Sequence, residues 1–250
     1  MIRKRLLWLP LVVALAFVAT ACPGQSGSGG TTGTTPTTIV SSNGCVGPTV
    51  IPLFGDSNGT QLPQYMNPAG YQVASKAYGG SAFTEQARAN YFAQSGNDLP
   101  TIVSRVHEYL TACPLPAGVV IQGSTNDWGN QVDSTAVIAA VSDLNVYLTS
   151  LGVKTFWVSM HPVPHNGSWN APQLANMAAY NSWLLTPGNV NGTVIDSALP
   201  LQDSGDVGWL KPAYYAYESI FSVDPRHVSP NGYIAWVDPI TSAISIVLNT

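Results

Sequence analysis

Short apolar runs of strand length alternate with helix-period segments along most of the chain, and that alternation leaves few folds open. Residues 49–54, 119–121, 155–160 and 192–195 are brief and mostly apolar, as strands buried on both faces are. Between them, residues 99–110 place Ile102, Val103, Val106 and Leu110 at helical spacing. Residues 134–151 do the same with Val137, Ile138, Val141, Leu144 and Leu148, with Ser134 as a candidate N-cap and Gly152 past the end. Residues 172–185 read as a helix stopped by Pro187-Gly188. Ser229-Pro230 opens a last helix, because proline suits a first helical turn. Residues 89–93 are assigned as one further strand. The alternation predicts an α/β domain of three layers, α/β/α and flavodoxin-like, around a mainly parallel five-stranded sheet. Ligands in such sheets bind at the carboxyl ends of the strands, so functional residues should follow strands directly.

The start of the chain reads differently. Arg3-Lys4-Arg5 precede an apolar run over 6–18 and then Ala19-Thr20-Ala21-Cys22. A basic start, an apolar middle and small residues before a cut site are the layout of a secretory signal. The run is shorter than the roughly 20 residues that a spanning helix needs. Ala19-Thr20-Ala21-Cys22 resembles a bacterial lipobox, so residues 1–21 are assigned as a lipoprotein signal peptide with Cys22 as the lipidated residue. Residues 22–44, rich in Gly, Ser and Thr, would form a tether, and 45–250 the folded domain, held outside the cytoplasmic membrane by its lipid anchor. With Arg3, Lys4 and Arg5 in the leader, 6 of the 9 basic residues remain against 13 acidic ones, a formal charge of −7. Without a basic patch, nucleic acid is not an expected partner. Cys45 and Cys113 are then the two remaining cysteines of an exported chain, and each precedes a predicted strand. If those strands are parallel neighbours, both cysteines lie at one end of the sheet. A disulfide is therefore expected, closing a loop of 68 residues at a chain-entropy gain of about 4 kcal/mol.

Four short blocks carry candidate chemistry. Gly55-Asp56-Ser57 follows the first strand, Ser95-Gly96 follows the residues assigned as the second, and Gly123-x-x-Asn126-Asp127 follows the strand at 119–121. Asp224-x-x-His227 precedes the final helix. In kind and in order these blocks resemble those of the SGNH (GDSL-like) hydrolases, across the whole mature domain. The resemblance implies hydrolysis of carboxylic esters through an acyl-enzyme, with no metal and no organic cofactor.

The chemistry explains the residue types. A serine hydroxyl is a weak nucleophile until a base takes its proton. Ser57 is the candidate nucleophile, His227 the base, and Asp224 the group that orients the imidazole and stabilises its charged form. The Ser57 N–H, the Gly96 N–H and the Asn126 side-chain amide are the candidate oxyanion donors, with Gly79-Gly80 as a rival to Gly96. Asp56 and Asp127 are read as structural. Asn58 stands where the family often has Leu, a departure expected to alter packing behind Ser57 more than chemistry. His161 and His165 lie four apart, but Pro162 and Pro164 forbid a helix there and no metal site is assigned. His161 is instead a candidate for the rim of the site. Trp209, Tyr214, Tyr215 and Tyr217 are candidate cleft walls. Acetyl or other short-chain esters of carbohydrate are the first substrate expectation. A lysophospholipid or lipid ester is the second, and a non-catalytic binding lipoprotein of the same fold the third.

Overall fold

A computed structural model describes residues 44–250 apart from 96–99, 124, 166–167, 207 and 220–221. The leader, Cys22 and the tether up to residue 43 lie outside the described residues. Strands β1 (Val50–Phe54), β2 (Gln72–Ser75), β3 (Gly118–Gln122), β4 (Lys154–Val158) and β5 (Thr193–Ile195) form one sheet in the order β2-β1-β3-β4-β5. Every pairing in it is parallel. This is the predicted five-stranded, three-layer α/β/α architecture. Helices α1 (Glu85–Ser95), α2 (Ile102–Ala112), α3 (Thr125–Gly129), α4 (Ser134–Ser150), α5 (Ala171–Leu185) and α6 (Pro230–Leu248) complete it. A separate antiparallel ribbon, β6 (Tyr215–Ser219) and β7 (Ser222–Val228), precedes α6.

Strands β1, β3 and β4 are buried on both faces, and each splits its side chains by the two-residue period. Ile51, Leu53, Val120, Phe156 and Val158 pack with Trp236, Val237, Ile240 and Ile244 of α6. Phe54, Val119, Ile121 and Trp157 point the other way, among Ile102 and Val106 of α2, Val137 and Val141 of α4, and Met177 and Leu184 of α5. Burying each such side chain contributes roughly 1.5–3 kcal/mol. Ser229 caps α6 by accepting from the Gly232 N–H, and Pro230 occupies the first turn, as the sequence predicts.

The strand assigned to residues 89–93 is a correction: they lie inside α1. Thr84 starts that helix, its hydroxyl accepting from the Ala87 N–H at 3.2 Å. The second strand is β2, which is an edge strand with only Val73 and Ala74 as apolar residues, so it shows no apolar run. At α4 the cap is Asp133 rather than Ser134, because the carboxylate accepts from the Thr135 N–H. The disulfide Cys45–Cys113 is formed. It ties the segment entering β1 to the residue that caps α2, just ahead of β3.

Strands β1 and β3 are neighbours, but β1 is followed in space by β2 on one side and β3 on the other. The order of connection therefore reverses between them. Their carboxyl ends open into the crevice where doubly wound sheets bind ligands. Ser57 follows β1 and Asn126 follows β3, so both candidates face that crevice from below.

Candidate active site

The turn that carries the candidate nucleophile is built on Gly55-Asp56-Ser57-Asn58-Gly59. Asp56 is fully buried. One of its carboxylate oxygens accepts from the Asn58 N–H at 2.9 Å. The other accepts from both the N–H and the hydroxyl of Thr125, each at 2.8 Å. The acid thereby ties the turn after β1 to the turn after β3, the structural role assigned to it. Gly59 is required by close approach: a Cβ there would lie 2.8 Å from both the Ala77 Cβ and the Gln122 side-chain oxygen.

Asp127 does for the third block what Asp56 does for the first. Its oxygens accept from the N–H groups of Phe83 and Thr84 and from the Thr84 hydroxyl, at 2.7–3.1 Å. Asn126 beside it donates to the Ser81 carbonyl at 2.9 Å. Together they clamp the loop that follows β2. Gly79 sits in that loop, and a Cβ built on it would lie 3.8 Å from the Ser57 Cβ. Gly96, the oxyanion candidate from sequence, lies outside the described residues. Ser95 ends a helix and not a strand, so Gly96 does not follow the strand assigned ahead of it. The loop that does reach Ser57 carries Gly79-Gly80, and recognising β2 as a strand would have pointed to it.

Asp224 and His227 stand on an irregular strand. Tyr215 pairs with Val228 and Tyr217 with Val223, so the one residue between them on β6, Ala216, stands opposite four on β7. Residues 224–227 bulge out of the ribbon, as bulges next to sites commonly do to re-aim side chains. Asp224 closes the bulge with one oxygen, which accepts from the N–H groups of Arg226 and His227 at 2.8 and 3.0 Å. Its other oxygen lies 2.7 Å from His227 Nδ1. His227 Nε2 in turn lies 2.8 Å from Ser57 Oγ.

The three predicted residues thus form one hydrogen-bonded row. Burial alone would raise the Asp224 carboxyl. The bond and charge of His227 and the two backbone N–H groups outweigh it and hold the group at about 2. An ionised carboxylate accepts only, so Nδ1 carries the proton and Nε2 presents a lone pair to the Ser57 hydroxyl. Burial lowers His227, but the bond and charge of Asp224 prevail and its affinity for a proton is raised.

His161 corrects the rim expectation. It is fully buried beneath the nucleophile turn, with its ring 4.5 Å from that of Trp236. His165 stacks on Trp209 at 4.2 Å and pairs with Asp206 at 3.4 Å. Among the described residues, no group of three or more His, Cys, Asp or Glu side chains could hold a metal ion. Of the predicted cleft aromatics, Tyr214 packs against the α6 core, the Tyr215 hydroxyl accepts from the His165 N–H, and Tyr217 stays exposed.

No protein-family model matches the chain, and no curated protein matches it in sequence. Solved structures do match in fold. One is a GDSL-like lipase from Bacteroides thetaiotaomicron, with a TM-score of 0.55 and 15% identity over 81% of this chain and 88% of that one. A second is an acetyl xylan esterase from Geobacillus stearothermophilus, with a TM-score of 0.52 and 16% identity over 78% and 94%. A third is the OSK domain of Drosophila Oskar, with a TM-score of 0.55 and 12% identity over 78% and 88%.

Proposed function

We propose that this chain, whose fold is that of the SGNH/GDSL-like hydrolases, is a serine esterase in which Ser57 is the nucleophile, His227 the base and Asp224 the acid that orients it. One observation carries the reading: the unbroken row Asp224–His227–Ser57, at 2.7 and 2.8 Å. His227 Nε2 takes the hydroxyl proton as Ser57 Oγ attacks the ester carbonyl, and the resulting imidazolium is stabilised by Asp224. The charged tetrahedral intermediate is met by the Ser57 N–H, the Asn126 amide and, in place of Gly96, the Gly79 N–H. Collapse breaks the ester C–O bond, and His227 returns the proton to the leaving alcohol. Water then attacks the acyl-serine by the same route in reverse. No metal or organic cofactor enters these steps.

The substrate in this proposal is an acetyl or short-chain ester of carbohydrate. The exposed rings of Tyr78, next to Gly79, and of Tyr217, opposite Val223, support it, since flat aromatic surfaces suit sugar rings. One observation favours a lipid ester instead. A cavity of about 450 Å³ is lined by Met160, Leu174, Met177, Ala178, Leu185 and Trp209 among others, and Met160 packs on Gly123 of the third block. The chain would act outside the membrane, held there through Cys22. Among the described residues no helix is long and apolar enough to cross a membrane.

Hydrolysis of p-nitrophenyl esters from acetate to palmitate, by residues 45–250 and by its Ser57→Ala variant, tests the reading. Activity confined to short chains and abolished in a folded Ser57→Ala variant is expected. A long-chain preference would transfer the assignment to a lipid ester. Absence of turnover together with absence of labelling by a fluorophosphonate would leave a binding protein of the same fold.

A further inference from the structure

The residue after the nucleophile is buried, polar and fully engaged. Asn58 has no exposed surface. Its amide nitrogen lies 3.1 Å from the carbonyl of Arg226, the residue immediately before the base. The same nitrogen lies 3.2 Å from His161 Nε2. Its oxygen accepts from the Tyr233 hydroxyl of α6 at 3.0 Å. The donor and acceptor count closes in one way. His161 Nδ1 is 2.8 Å from the Pro162 carbonyl, which only accepts, so Nδ1 carries the proton and Nε2 accepts. Asn58 then donates one hydrogen to His161 and one to Arg226, while Tyr233 donates to Asn58.

The partner that matters is the Arg226 carbonyl. Residues 224–227 have left the β6–β7 ladder, so their backbone groups need other partners. Asp224 supplies them for two N–H groups. The Trp169 indole N–H supplies one for the Pro225 carbonyl, at 2.7 Å. Asn58 supplies one for the Arg226 carbonyl, and among the described residues it is the link between the base segment and the Ser57 turn that lies away from the reacting atoms.

We infer that Asn58 is a positioning residue, bracing the His227 segment against the Ser57 turn through the Arg226 carbonyl, with His161 and Tyr233 fixing the rotamer and orientation of its amide. This rests on the esterase reading for what the bracing is for, but not for the bracing itself. A leucine at this position could match the volume but would leave a half-buried carbonyl, a buried ring nitrogen and a buried hydroxyl without their Asn58 partner. Among the described residues, the hydrogen bond left between the base segment and the Ser57 turn would then be the His227–Ser57 bond, which breaks during turnover. Small misplacements of a base are expensive in rate.

The test is Asn58→Leu, with Tyr233→Phe as a milder second variant should the first not fold. Two readouts are taken at temperatures well below unfolding: ester turnover, and the titration of the His227 ring by NMR. In Asn58→Leu, kcat should fall about tenfold or more with KM nearly unchanged. The His227 midpoint should move down toward that of a free imidazole as its contact with Asp224 loosens. Asp56, Asp224 and Arg226 act on that ring and are not altered by the variant; His161, which also interacts with its charge, is followed in the same titration. Tyr233→Phe should shift both readouts in the same direction by less. An unmoved titration in folded Asn58→Leu overturns the proposal, even where stability falls. If wild type turns over no ester yet the titration moves as expected, the esterase reading fails and the bracing stands.

Discussion

Asp224 does two jobs with two oxygens. One closes the backbone bulge that presents His227, and the other fixes which nitrogen of the ring is protonated. An amide in its place could keep one job and not both. Asp224→Asn would offer an N–H or a poorer acceptor to Nδ1, favouring the tautomer with its proton on Nε2, pointed at Ser57. The expected loss in kcat is roughly 10³–10⁴ with the fold retained, read by ester kinetics beside a thermal melt. The same pair sets the pH dependence. His227 works as a base only when neutral, and its proton affinity is raised above the ordinary imidazole value near 6.5. Activity should therefore rise with pH, and the acid limb of kcat/KM should have its midpoint above 6.5. A midpoint below that value would mean that Asp224 does not act on the ring in solution.

At the scale of elements, β1, β3 and β4 are legible because they are buried on both faces and so have to be apolar. β2 and the β6–β7 ribbon are not, for opposite reasons. β2 pairs on one side only and has polar ends, Gln72 and Ser75. The ribbon contains a bulge and a proline, Pro225, and its residues are mostly half-buried. Residues 89–93 lie inside α1, so Gly96 does not stand after a strand as expected. Ser57, Asp224 and His227 stand in one hydrogen-bonded row, and their blocks are read from side-chain chemistry and local spacing. The second block is a backbone N–H, which leaves almost no mark in sequence. The loop after β2 now makes a prediction. A Val at Gly79 would fill the space beside the Ser57 Cβ, 3.8 Å from the first added carbon. Gly79→Val should lower kcat/KM at least tenfold, by about the size of losing an oxyanion contact, while Gly96→Val stays within about twofold. The reverse ranking would restore Gly96 to the site.

For the whole molecule, the buried polar layer under Ser57 links folding to pH through His161. Its ring is sealed between Asn58 and Trp236, and burial holds its proton affinity below the ordinary value. The unfolded chain takes up a proton as pH falls below about 6.5, where the folded chain does not. Stability must then fall with pH, by at most about 1.4 kcal/mol per pH unit for one proton, until the folded ring also titrates. The neighbouring charges act elsewhere on the pH scale. His227 has a raised affinity, so its contribution is complete below 6.5 and is lost only as pH rises through its folded value. Asp224 contributes above its unfolded value and loses that contribution as pH falls toward about 2. Asp56 is the remaining charge that acts on His161. The interval from 6.5 to 5 therefore isolates His161. Urea midpoints at those two pH values should show the wild type losing up to about 2 kcal/mol, and His161→Gln, which keeps a donor and an acceptor but cannot charge, losing clearly less. Equal losses in the two proteins would mean that His161 is protonated as readily inside the fold as outside it, and the donor–acceptor order around Asn58 would then have to be redrawn.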